Sequence, residues 1–205
     1  MANTIPVNYE LQFEPLFHNF TFKGMEIITV SLSKATDLII LDAAELKIKK
    51  CHVEQGTKII TANASLNEKN ERLTIKLSKK IKGKAKLCIR FTGVLNDRLL
   101  GFYKSQYKDN KGKTKYLATT QFEAADARRA FPCWDEPAVK ATFDVSLLVD
   151  RHHDAISNMP VISKKTVDSK ILYKFGRTPI MSTYLLYLGV GEFEYLHGRL
   201  RNIKI

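Results

Sequence analysis

Lys82-Gly83-Lys84-Ala85-Lys86-Leu87-Cys88-Ile89-Arg90-Phe91 is the stretch that decides the fold. Apolar and polar residues alternate along it with a period of two, which places one set of side chains on a core face and the other in solvent. The same alternation recurs upstream in Leu73-Thr74-Ile75-Lys76-Leu77 and Leu46-Lys47-Ile48-Lys49. It recurs again over residues 25–32 and in Tyr9-Glu10-Leu11-Gln12-Phe13. Leu38-Ile39-Ile40-Leu41 reads as a short buried strand, and Asn67-Glu68-Lys69-Asn70 as a polar turn.

Downstream, Tyr107-Lys108-Asp109-Asn110-Lys111-Gly112-Lys113 reads as a hairpin tip between Gly101-Phe102-Tyr103 and Tyr116-Leu117-Ala118. Residues 141–149, 170–175 and 183–193 read as further strands; Gly189 and Gly191 disfavour a continuous helix in the last. Regular strand-and-turn spacing with no long amphipathic helix predicts an all-β fold, an antiparallel β-sandwich or saddle with little helix.

The chain has 205 residues, 44% of them hydrophobic and 10% aromatic, enough to bury a core and to set disorder aside. No Pro-, Gly- or Ser-rich linker divides it, so residues 1–198 are expected to form one domain and 199–205 to lead into whatever follows. No apolar run is long enough to span a bilayer. Met1-Ala2-Asn3-Thr4-Ile5-Pro6 lacks the features of a secretory signal. Cytoplasmic residence without a membrane partner is the resulting expectation. Cys51, Cys88 and Cys133 are too far apart for a disulfide framework or a cysteine zinc site, and are read as reduced and packed.

The net charge of +12 is concentrated: residues 47–115 hold 19 Lys/Arg against 5 Asp/Glu. Lys76, Lys79, Lys80, Lys82, Lys84 and Lys86 are threaded through strand-like residues with no aromatic stacking platform. They read as a solvated sheet face rather than a nucleic-acid site. A β-sandwich module that binds an anionic partner through these strands is the alternative function.

One segment obeys neither period. It runs Thr119-Thr120-Gln121-Phe122-Glu123-Ala124-Ala125-Asp126-Ala127-Arg128-Arg129-Ala130-Phe131-Pro132-Cys133-Trp134-Asp135-Glu136-Pro137. Irregular backbone this rich in charge is expected to position something. Glu123 could hold a cation in a cleft, or it could pair with Arg128 or Arg129 nearby.

This segment resembles the signature that precedes the catalytic domain in zinc aminopeptidases of the aminopeptidase N (gluzincin) family. Gln121-Phe122-Glu123 matches the family's Gln-x-Glu loop, followed by Asp126-Ala127-Arg128, Phe131-Pro132-Cys133, Asp135-Glu136-Pro137 and Lys140-Ala141-Thr142-Phe143. Trp134 stands where the family often has phenylalanine. The likeness continues in order through Phe22-Lys23-Gly24, Leu99-Leu100-Gly101-Phe102-Tyr103-Lys104-Ser105, Ser157-Asn158-Met159-Pro160 and Met181-Ser182-Thr183-Tyr184-Leu185. It is closest in flavour to the puromycin-sensitive and archaeal tricorn-interacting members.

The resemblance implies the substrate-facing amino-terminal domain of an enzyme that removes N-terminal residues from peptides. Glu123 would then bind the substrate amine, and Gln121 would line the pocket for the first side chain. The partners implied are peptide N-termini and a catalytic domain of the same polypeptide. The family's zinc ligands, His-Glu-x-x-His with a downstream Glu, and its Gly-x-Met-Glu-Asn loop do not occur here. No catalytic residue and no metal ligand are therefore expected in this chain; zinc would belong to the full-length enzyme, and the isolated chain is expected to be inactive.

The five histidines, His18, His52, His152, His153 and His197, include no pair at the i, i+4 spacing of a helical zinc site. Adjacent His152 and His153 would point to opposite faces of a strand and are read as part of a surface turn.

Overall fold

The computed structural model describes residues 3–195, 198–200 and 203–204. Twelve of its strands build two sheets: β1 (Thr4–Leu16), β2 (Thr21–Asp42), β3 (Lys47–Gln55), β4 (Lys58–Asn67), β5 (Arg72–Val94), β6 (Gly101–Lys108), β7 (Thr114–Gln121), β8 (Thr142–Asp150), β9 (Asp154–Ser157), β10 (Val161–Val167), β11 (Lys170–Phe175) and β12 (Leu188–Gly191). The larger sheet has eight strands in the order β10-β11-β8-β1-β2-β5-β3-β4. The smaller has four, ordered β6-β7-β12-β9. The expected all-β architecture is what forms.

Two long strands carry the larger sheet. In β2, Phe22, Gly24, Glu26, Ile28, Val30 and Leu32 are buried while the residues between them are partly exposed. In β5, Ala85, Leu87, Ile89 and Phe91 are buried in the same way. The separate strands expected at residues 73–77 and 86–91 are therefore two ends of one strand. It bends near Gly83, whose φ of +83° suits glycine, where the β2–β5 register shifts between Leu32 and Thr36 and again before Leu38.

The inner face of this sheet meets the smaller sheet through aromatic rings. Phe102 of β6 lies 5.7 Å from Phe13 and 5.2 Å from Phe22 between ring centroids. Tyr9 stacks on Phe143 at 5.0 Å. Burying each such ring contributes about 1.5–3 kcal/mol. Gly24 is required by this packing, since a Cβ there would sit 2.1 Å from the Phe91 ring.

Two features depart from the sequence reading. The β1–β8 pairing is parallel, with Tyr9 opposite Phe143, in a sheet otherwise joined antiparallel. Residues 183–193 are not one strand: a 3₁₀ turn at Thr183–Leu185 precedes β12. The connection expected at 199–205 lies partly outside the described residues. Those described there form a two-stranded ladder, β13 (Arg199–Leu200) with β14 (Ile203–Lys204). His197 also lies outside the described residues.

Candidate functional site

β7 delivers the irregular segment to the surface. Gln121 and Glu123 are both exposed, while Phe122 between them is buried and meets Phe131 at 6.1 Å. Alternation at the strand end thus turns the two polar side chains outward by pinning the ring inward. The Asp126 amide donates to the Phe122 carbonyl at 2.9 Å, closing the turn. The Glu123–Ala124 peptide within it is cis. A 3₁₀ turn, Ala127–Arg129, follows.

Arg128 and Arg129 do not pair with Glu123. Arg128 donates through Nε to Asp135 Oδ2 at 3.1 Å and through Nη1 to Glu71 Oε2 at 3.1 Å. Its Nη1 also stands 3.7 Å from buried Asp42. Arg129 donates to Asp126 Oδ1 and Glu71 Oε1, each at 2.8 Å, and to Glu45. Gly101, at φ +68°, makes room for this arginine, since a Cβ there would lie 2.9 Å from Arg129 Cβ. Glu123 forms no hydrogen bond or ion pair with any described residue.

The rest of the segment is sewn to the core. Asp42 and Cys133 exchange backbone hydrogen bonds at 2.7 and 3.0 Å, and the Asp135 amide donates to Asp42 Oδ2 at 2.9 Å. Thr183 Oγ1 donates to Asp135 Oδ1 at 2.7 Å, and Ser182 Oγ to the Pro137 carbonyl at 2.7 Å. The Trp134 amide donates to the Tyr9 hydroxyl at 3.3 Å. Cys133 is fully buried and its thiol is pushed well up by that burial, with Asp135 next in effect, so it is no nucleophile at neutral pH. All three cysteines are free.

Sequence reasoning placed Gln121 and Glu123 together but missed what holds them. Glu45, Glu71, Asp42 and Thr183 come from distant parts of the chain and carried no local signal. His152 and His153 lie in a turn as expected, but His153 is buried rather than at the surface. They sit in the turn after β8, where strand alternation does not apply, and their rings approach to 4.0 Å with Glu192 alongside. Glu192 is already bound by Lys115 at 2.6 Å. A cavity of about 400 Å³ lies on the outer face of the larger sheet, lined by Gln12, Met25 and Arg90; neither Gln121 nor Glu123 lines it.

A two-sheet β domain that presents an exposed carboxylate from the end of one strand defines the class. The chain belongs to the Peptidase M1 N-terminal domain family, which matches residues 5–185. It is 42% identical over 202 residues to the puromycin-sensitive aminopeptidase of Caenorhabditis elegans, covering 96% of this chain and 21% of that protein. It is 39% identical over 195 residues to aminopeptidase M1-D of Oryza sativa subsp. japonica, covering 94% of this chain and 22% of that one. To the mitochondrial aminopeptidase 2 of Saccharomyces cerevisiae it is 38% identical over 204 residues, covering 96% and 21%. The chain therefore spans about a fifth of the length of these relatives. Among the described residues no helix is long and apolar enough to cross a membrane.

Proposed function

We propose that this chain is the substrate-facing domain of a zinc-dependent aminopeptidase, and that Glu123 receives the α-ammonium group of the peptide. The observation that carries this reading is the exposed Glu123, without a partner among the described residues, on a loop whose two arginines are both committed elsewhere. A carboxylate left without a cation, on a loop otherwise saturated with ion pairs, has charge to offer a ligand. Fixing an ammonium group there would set which peptide bond reaches the nucleophile, giving exopeptidase action. Gln121, two residues earlier and also exposed, would border the first side chain.

Zinc would be held by a catalytic domain elsewhere in the polypeptide, where it would polarise the scissile carbonyl and activate water. The 205-residue chain alone is expected to hydrolyse no aminoacyl substrate, and cytoplasmic residence belongs to the same proposal. The basic strands favour the alternative reading less, since Lys76 pairs with Asp37 at 2.6 Å and Lys86 stands 3.8 Å from Glu10.

The test is Glu123→Ala in the longer polypeptide, assayed on free and amino-blocked substrates. Truncating one partner of a desolvated charge pair costs about 2–5 kcal/mol, or roughly 30- to 5,000-fold in kcat/KM. Glu123→Gln should lose much of the same effect, because an amide attracts a cation weakly. The blocked substrate lacks the ammonium group, so its rate should not respond. Equal losses on both substrates would place Glu123 in the scaffold.

A further inference from the structure

We propose that His52, Glu54 and Cys88 form a binding site for a zinc-class divalent cation on the outer face of the larger sheet, with one position left to water. Strand register puts them together. His52 and Glu54 are two apart on β3 and so share a face, and His52 is the direct cross-strand partner of Cys88 on β5. Their neighbours Val53, Leu87 and Ile89 are buried on the inner face, so all three project from the outer one. The site therefore stands on the face turned away from the aromatic core.

The ligand atoms of the three residues all lie within 4.8 Å of one another. Bond lengths of about 2.0–2.3 Å in a tetrahedral zinc site put ligand atoms about 3.4–3.6 Å apart. His52 Nε2 already stands 3.4 Å from Glu54 Oε1, so closing the set needs only small side-chain rotations. A cavity of about 160 Å³, lined by all three side chains, opens beside them. That is room for an ion and a water molecule.

Donor chemistry selects the ion. Thiolate and imidazole suit zinc and disfavour magnesium or calcium, which take oxygen ligands. One thiolate and one carboxylate cancel the charge of a divalent cation, which matters on a surface that also carries Lys50, Lys86 and Arg90. In the metal-free protein Cys88 is a neutral thiol, pushed up to about 11 by burial and by the Glu54 carboxylate. Metal binding replaces that proton, which passes to solvent. The second cluster, His152, His153 and Glu192, is a poorer site because Lys115 already occupies its carboxylate.

Titrating the 205-residue chain with Co²⁺ as the probe tests the proposal. One ion per chain is expected, with tetrahedral d–d bands and a thiolate charge-transfer band, both displaced by Zn²⁺. Cys88→Ser should abolish the charge-transfer band, and His52→Ala should weaken binding at least as much as the 10–100-fold typical of lost outer-shell partners. Cys51→Ser, on the inner face, and His152→Ala should change neither. Without any variant, Zn²⁺ should protect Cys88 from alkylation, as mapped by mass spectrometry. No stoichiometric ion, an unprotected Cys88, or a signal that follows His152 instead would each overturn the proposal. None of these readouts depends on peptidase activity, so the result stands apart from the reading of Glu123.

Discussion

The tip and the base of the signature segment share a stretch of chain and behave as opposites. At the tip, Gln121 and Glu123 face solvent, and Glu123 has no partner among the described residues. At the base, Asp135 is 4% exposed and takes hydrogen bonds from Arg128 and Thr183, while its own amide is held by Asp42. Buried charges persist only where they are paired, and an exposed one needs no partner to survive. The contrast therefore separates residues the fold requires from a residue it merely presents.

Breaking the base should have the largest effect. Asp135→Ala leaves the Arg128 guanidinium short of an acceptor and the Thr183 hydroxyl unpaired, both in low-dielectric surroundings. Losing one partner of a buried pair costs about 3–5 kcal/mol. For a chain of this size that lowers Tm by roughly 6–20 °C, measurable by calorimetry. A shift within a degree or two would mean that Glu71 and Asp42 hold Arg128 unaided, and the base would no longer count as a single network.

A second buried carboxyl sharpens the rule by violating it. Glu26 of β2 is fully buried on the core face, and neither carboxylate oxygen has a hydrogen-bond partner among the described residues. Burial holds its pKa well above the usual carboxylate range, so it is protonated in the folded chain where it would be ionised in the unfolded one. The unfolded chain then loses the proton first as pH rises. Stability that is whole below the unfolded pKa of about 4.3 is lost progressively as pH climbs toward the folded value, by at most ~1.4 kcal/mol per unit. Glu26→Met removes that slope, so the variant should gain on the parent chain as pH rises from 5 to 8 in urea unfolding. Parallel curves would show that Glu26 finds an ionic partner in solution.

The sequence was most readable where structure is periodic. Alternation located β1, β5, β8 and the β6–β7 hairpin, whose turn falls at 109–113 inside the expected tip. It could not show that residues 8 and 142 pair in parallel, because nothing local records a register between strands so far apart. The same blindness misled the reading of charge. Nearness along the chain suggested Glu123 with Arg128 or Arg129, yet the tight turn after Phe122 sends the arginines toward Glu45 and Glu71, in the connections before β3 and β5. Both of those glutamates sit at positive φ, +58° and +54°, a conformation that costs about 1–3 kcal/mol. Spacing along the chain likewise gave no sign that His52 and Cys88 meet across a ladder.

The smallest expected effect is the most discriminating. Glu123→Ala removes an exposed side chain with no partner among the described residues, and such substitutions usually change stability by no more than about 0.5 kcal/mol. The Tm should therefore move by no more than about 2 °C, against the large drop for Asp135→Ala. Phe122 still plugs its pocket against Phe131 and the Asp126 amide still caps the turn, so the loop keeps both of its anchors. The two substitutions should also add, because they share no partner. Measuring the double variant by urea unfolding settles whether tip and base are independent. An interaction energy above about 0.5 kcal/mol would show that the tip is coupled to the charge network. Glu123 would then be part of the scaffold, and any loss of peptidase activity on its removal could no longer be assigned to the substrate's ammonium group.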